Sequence, residues 1–255
     1  MSYKILVCIP ARFHSSRLPG KPLLEINNKT IIRHVYDNVS KIKYEKEIVI
    51  LTDDKRIKTE VDTFAEGVCH IIEEKCINGT ERIIHFLNQN VEYNDYNMIV
   101  NVQGDEPFID IENIHSAINN YVIKNQEDKN IVCSTLYYSS YNTMEITSKS
   151  KVKIVLDKNS NIMYGSRNVI PASKYYNISE HITYNFHIGL FVFNREYLVN
   201  QFILEDTVNQ LSEDIEWLKI LEQGYKINAV LVDEYEIGVN TKEDYDFLIN
   251  KYQII

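Results

Sequence analysis

The chain has 255 residues, long enough to bury a full core. Hydrophobic residues make up 44% and charged residues 25%, as in ordinary globular proteins, and 36 acidic against 27 basic side chains give a net charge of −9. That balance argues against a nucleic-acid partner and against an anionic membrane surface, so any bound anion must be held by a local cluster of cations.

The predicted elements alternate. A strand over Ile5–Ile9 is followed by a helical period from Thr30 to Lys41, with Ile31, Ile32, Val35 and Val39 on one face. Glu47–Leu51 reads as a second strand. Thr80–Asn88 reads as a second helix, with Thr80 as its expected N-cap. Met98–Val102 and Ile131–Leu136 are further strand-like runs. Apolar runs without alternation fit strands buried on both faces, and their spacing with helices predicts a mostly parallel central sheet flanked by helices. The rhythm then changes. Lys151–Leu156, Gly189–Phe193 and Ala229–Val232 are strand-like with little helix between the first two, which predicts a small mixed-sheet lobe at about 150–210 inside one domain spanning 1–255. A helix is expected from Ser212 to Gln223, closed by Gly224, and a last one over Thr241–Tyr252 with Thr241 as its N-cap.

The cysteines, Cys8, Cys69, Cys76 and Cys133, have no C-x-x-C spacing and no neighbouring histidine to complete a zinc pattern. The opening apolar run is too short for a signal-peptide core, and no later run approaches a membrane span. A reduced cytoplasmic setting is the expectation.

Two segments carry chemistry. "IPARFHSSRLPGKPL" leaves the first strand and gathers Arg12, Arg17 and Lys21 with backbone donors at Ala11, Ser15, Ser16 and Gly20, a composition suited to phosphates. It is neither a Walker loop nor G-x-G-x-x-G, and taken alone it reads equally as a solvated basic loop. "MIVNVQGDEPFID" places Gln103, Gly104, Asp105 and Glu106 at the carboxyl end of a buried strand, where open α/β sheets bind ligands. An acidic group there could hold magnesium opposite a triphosphate, or the segment could be an ordinary turn.

Taken together with "NGTERI", "SR…IP" and "HIGLFVF" in the same order, these segments closely resemble the 3-deoxy-manno-octulosonate (Kdo) cytidylyltransferases over nearly the whole chain. The resemblance implies a Rossmann-like nucleotidyltransferase fold and transfer of CMP from CTP to the anomeric hydroxyl of an acidic eight-carbon sugar, releasing pyrophosphate, in lipopolysaccharide or capsule synthesis. It implies a homodimer and a magnesium ion. By the same resemblance, Arg12, Arg17 and Lys21 hold the CTP phosphates, with Pro10 and Ala11 against the nucleotide. Arg17, Lys21 and Asp105 are then the catalytic set. Asn78 and Gly79 lie near the cytosine, with Asn78 where the family has serine. Asp105 matches a magnesium ligand, and Arg82, Gln103, Arg167, His187 and Glu216 shape the sugar pocket. Read from the residues alone, Arg82 could instead pair with Glu81 or Glu60, His187 could be a structural histidine, and Glu216 could belong to a solvated helix face.

The pattern departs at two places. The family's "GVDTPED" is here "GVNTKED", so Asn240 stands where a second metal-binding aspartate is expected. Asn keeps size and one carbonyl oxygen but removes a full charge, which a hard cation such as magnesium favours. Three explanations stay open: a subfamily for a modified sugar or for nucleotide-borne magnesium, an inactivating change that leaves a CTP-binding homologue, or replacement of the lost carboxylate by Asp244. The stretch "ASKYYNISEH", 172–181, also lacks the charged segment of Kdo enzymes, which leaves room for an 8-modified sugar such as 8-amino-Kdo or for another acid sugar.

Overall fold

Strand β1 (Ile5–Ala11) is buried at every position, so both of its faces are covered. The computed structural model describes residues 3–15, 17–174, 178 and 182–252. These form two compact units, one of Met1–His115 with Tyr235–Ile255 and one of Ser116–Glu234. The segment 150–210 expected to form a lobe lies within the second.

In the first unit, β1 is followed by a loop and a small antiparallel pair, β2 (Glu25–Ile26) and β3 (Lys29–Thr30). Helix α1 (Ile31–Val39) buries Ile31, Ile32, Val35 and Val39, the stripe expected from their spacing. Then come β4 (Lys46–Thr52), α2 (Lys55–Asp62), β5 (Cys69–Ile71), α3 (Gly79–Gln89) and β6 (Met98–Val102). β1 lies between β4 and β6, β4 also pairs β5, and all three pairings are parallel. β1 runs two residues past the expected end at Ile9. Pro10 is tolerated there because the β1–β6 ladder stops at Cys8↔Asn101, so no ladder donor is missing. The Pro10 carbonyl instead accepts the Gly104 N–H at 3.2 Å, which ties the end of β1 to the turn after β6.

Helix α4 (Ile111–Glu127) carries the chain into the second unit. Its elements are β7 (Ile131–Ser140), α5 (Thr143–Thr147), β8 (Lys153–Leu156), β9 (Ile162–Ser166), β10 (Tyr184–Asn194), α6 (Arg195–Asn200), α7 (Val208–Glu213), α8 (Leu218–Glu222) and β11 (Lys226–Leu231). β10 pairs antiparallel with β7 and with β8, β8 pairs antiparallel with β9, and β11 pairs parallel with β7. The mixed patch expected in the second half is therefore present. A bulge interrupts β10 between Ile188 and Phe191.

The expected single helix over Ser212–Gln223 is instead two helices. Asp214 adopts a left-handed conformation, φ 52°, and ends α7. The Arg167 guanidinium accounts for the break, donating to the Glu213 carbonyl at 2.8 Å and the Asp214 carbonyl at 2.8 Å. Gly224 does close α8, at φ 82°. Helix α9 (Lys242–Tyr252) returns the chain to the first unit, where Leu248 packs with Ile26, Ile31 and Val239. Thr241 caps it as expected: its Oγ1 accepts from the Asp244 N–H at 3.3 Å, and the Asp244 carboxylate accepts from the Thr241 N–H at 2.9 Å. Among the described residues no helix is long and apolar enough to cross a membrane.

Candidate active site

The first unit brings most of the expected site residues together. The loop after β1 is closed by a Gly20 N–H to Phe13 carbonyl bond of 2.8 Å. Arg12 and Arg17 on it are exposed, whereas Lys21, opening a short 3-10 turn, is buried. Lys21 Nζ pairs with the Asp105 carboxylate and donates to the Val239 carbonyl at 3.1 Å. Asp105 in turn accepts the Val239 N–H on its backbone oxygen at 2.8 Å. Arg17 Nη2 donates to Asn240 Oδ1 at 3.2 Å. The cationic loop, the turn after β6 and the segment before α9 thus meet at one point. Ser16 lies outside the described residues.

Asp53, just beyond β4, is a member that sequence reasoning missed. Its carboxylate accepts the Phe13 N–H at 3.2 Å and Arg82 Nη2 at 3.1 Å, fastening the loop to α3. Among the described residues the ion pair of Arg82 is thus with Asp53, where Glu81 or Glu60 was the alternative. Arg82 is 4% exposed, and its Nη1 has no hydrogen-bond partner among the described residues. A buried guanidinium N–H without a partner is costly, which marks Arg82 as a residue for the site to account for.

Helix α3 has its N-cap two residues earlier than expected. Asn78, not Thr80, is its N-cap: Asn78 Oδ1 accepts from the Glu81 N–H at 2.8 Å and Asn78 Nδ2 donates to Glu81 Oε1 at 2.9 Å. The Asn78 side chain is thus committed to the cap. Gly79 beside it is required by packing, since a Cβ there would come within 2.9 Å of the Pro10 ring. Gln103 Nε2 donates to the buried Asn101 Oδ1 at 3.1 Å, which fixes the amide orientation.

Glu106, next to Asp105, is buried. Tyr235 donates to its Oε1 at 3.3 Å, and its Oε2 has no hydrogen-bond partner among the described residues. Burial first, and the Asp105 charge second, push its carboxyl up to about 8. Asp244, the alternative source of a carboxylate, accepts on Oδ2 the N–H groups of Asn240, at 3.0 Å, and Thr241, at 2.9 Å, which holds it at the start of α9.

Among the described residues no group of three His, Cys, Asp or Glu side chains could hold a metal ion. The oxygen donors at the meeting point are the Asp105 carboxylate, paired with Lys21, and Asn240 Oδ1, shared with Arg17. One carboxylate and one amide oxygen do not suit an ion held by protein alone. They fit a magnesium ion that arrives with most of its coordination supplied by phosphate oxygens and water.

The other expected sugar residues lie in the second unit, gathered around the turn between α7 and α8. Arg167 reaches Glu213 and Asp214 through the two carbonyl bonds above, adds an ion pair to the Asp214 carboxylate at 3.3 Å, and donates to the Lys149 carbonyl at 3.2 Å. Its guanidinium is largely spent on holding this turn. His187 packs against Trp217 and Phe191, with ring centroids 5.2 and 5.1 Å away, and its Nε2 lies 2.9 Å from Thr135 Oγ1. Burial lowers its pKa to about 3. Glu216 is half-buried in the turn itself, not on a solvated helix face. Gly165 in β9 leaves room for Trp217, whose ring a Cβ would meet at 2.2 Å.

A cation-bearing loop and an acidic turn lie at the carboxyl ends of parallel strands, the arrangement expected of a nucleotidyltransferase, and the comparisons place the protein in that class. The 4-diphosphocytidyl-2C-methyl-D-erythritol synthase of Anaerococcus prevotii shares the fold, with a TM-score of 0.58 at 15% identity over 99% of this chain and 97% of the other. The family model described as cytidylyltransferase matches residues 6–233. The 3-deoxy-manno-octulosonate cytidylyltransferase of Protochlamydia amoebophila is 36% identical, over 96% of this chain and 92% of that protein. A solved CMP:2-keto-3-deoxy-manno-octonic acid synthetase complexed with CTP aligns at a TM-score of 0.85 and 28% identity, covering 97% of this chain and 98% of the other. The chain belongs to the 3-deoxy-manno-octulosonate cytidylyltransferase family.

Proposed function

We propose that this enzyme transfers CMP from CTP to the anomeric hydroxyl of Kdo or an 8-modified Kdo, releasing pyrophosphate. The observation that carries the reading is the meeting of Lys21, Asp105, Arg17 and Asn240 at one point of the first unit. Lys21 and Arg17, with Arg12 on the same loop, would neutralise the triphosphate. The tight packing of Pro10 on Gly79 gives the nucleotide a rigid wall. Asp105 would hold magnesium borne by CTP, and magnesium there supplies charge neutralisation for the departing pyrophosphate. The protein's own part is to position reactants and offset charge, since both are anions.

For the sugar, Arg82 in the first unit has an N–H without a partner among the described residues, suited to a carboxylate. In the first unit Gln103, and in the second unit, taken by itself, His187 and Glu216, offer acceptors and mixed groups for hydroxyls. Arg167 is better read as a positioning residue for the turn carrying Glu216. The 8-modified sugar is proposed from the stretch 172–181, most of which lies outside the described residues. We also propose a cytoplasmic enzyme acting as a homodimer.

A second reading is favoured by one observation. Asn240 gives its amide oxygen to Arg17 and offers no carboxylate, as in a CTP-binding homologue with weakened catalysis. Incubation with CTP, magnesium and a panel of Kdo, 8-amino-Kdo and a sialic acid separates the two. Pyrophosphate release with Kdo or 8-amino-Kdo is the expected result. Tight CTP binding without release for any sugar would favour the second reading.

A further inference from the structure

Thr135 in β7 is fully buried, and its hydroxyl has three polar neighbours on β10. Oγ1 lies 2.6 Å from the Leu190 carbonyl, 3.2 Å from the Ile188 carbonyl and 2.9 Å from His187 Nε2. The bulge between Ile188 and Phe191 lies where these two carbonyls meet Thr135. A hydroxyl has one proton, and carbonyls only accept. If that proton went to His187, two carbonyl oxygens would face a bare Oγ1. The proton therefore belongs to Leu190, and His187 Nε2 must carry the hydrogen that it donates to Oγ1. Nδ1 is then the unprotonated nitrogen, and among the described residues it has no hydrogen-bond partner.

We propose that Thr135 is a positioning residue that fixes His187 as the Nε2–H tautomer, making Nδ1 the acceptor for a hydroxyl of the sugar substrate. This rests on the sugar-binding role proposed for His187. Packing against Phe191 and Trp217 keeps the ring uncharged, so the acceptor persists at neutral pH. A ring nitrogen that only accepts, as Nδ1 does, prefers a hydroxyl, a donor, over a carboxylate or phosphate oxygen at the same place. The tautomer thus contributes to choosing which face of the sugar lies against β10.

Long-range ¹⁵N–¹H spectra of protein labelled at histidine read the tautomer directly. The expected result is a neutral Nε2–H ring for His187 in the free enzyme, with its Nδ1 resonance shifting when Kdo is added. Thr135→Val keeps the shape but removes the hydroxyl. It is expected to move the ring toward the Nδ1–H form and to raise KM for the sugar about tenfold, with KM for CTP unchanged. Thr135→Ser keeps the hydroxyl and should restore both. An Nδ1–H ring in the unmodified enzyme, an unchanged tautomer in Thr135→Val, or a changed tautomer without effect on sugar binding would each overturn the proposal. Failure of Kdo turnover would count against the proposed function, while the spectra would still decide the tautomer.

Discussion

Lys21 and Asp105 are both largely removed from water, and each makes the other's charge tolerable. A triphosphate would compete with Asp105 for the lysine and free the carboxylate for the incoming ion. Lys21→Ala is expected to weaken CTP binding by about tenfold to a hundredfold, the range for a lost charge-assisted hydrogen bond. Calorimetric titration checks it, and unchanged affinity would count against the phosphate role. Asn240 sits at the other end of the same geometry. As a neutral amide it orients Arg17 without cancelling its charge. Asn240→Asp should tighten divalent binding to the CTP complex, read by manganese resonance, and weaken metal-free CTP binding about twofold to fivefold through a competing ion pair. A variant with neither change would show that position 240 does not tune the site.

At the level of elements, the turn between α7 and α8 shows how one side chain can override local propensity. The residues of 212–223 have a helical period, yet Arg167, far away in sequence, takes the carbonyls that the continuing helix would need. Nothing local to that stretch announces this. Trp217 is seated by the absence of a side chain at Gly165, so Gly165→Ala should destabilise the fold by about 1–3 kcal/mol. Urea denaturation reads the change, and an unaffected midpoint would mean that the ring moves aside without cost. Other elements were more legible. The stripe of α1 and the strand Met98–Val102 follow from apolar spacing alone. Helix α4 was passed over although Ile114, Ala117, Ile118 and Tyr121 form a buried helical stripe, because polar residues dilute its period. Asp53 could have been found by the reasoning that found Asp105, since each follows a buried strand at its carboxyl end.

Across the whole molecule, the fold class is readable because buried strands alternating with helices leave local patterns. The partners of Arg82 and His187 are not, because each is chosen by residues brought near only by folding. His187 also ties local chemistry to global stability. Its folded-state pKa lies near 3 against an ordinary 6.5, so the unfolded chain binds a proton that the folded one refuses. Stability should therefore fall as pH drops from about 6.5 toward 3, by up to about 1.4 kcal/mol per pH unit, and be fully present above that window. His187→Gln should lose less stability than the unmodified protein between about pH 7 and 5 in urea titrations, and an equal loss would contradict this. The most direct measurement of the central claim is a crystal structure with CTP and magnesium. The expected result is a triphosphate contacted by Lys21 and Arg17, with the ion against Asp105. A triphosphate bound elsewhere, with the Lys21–Asp105 pair undisturbed, would contradict it.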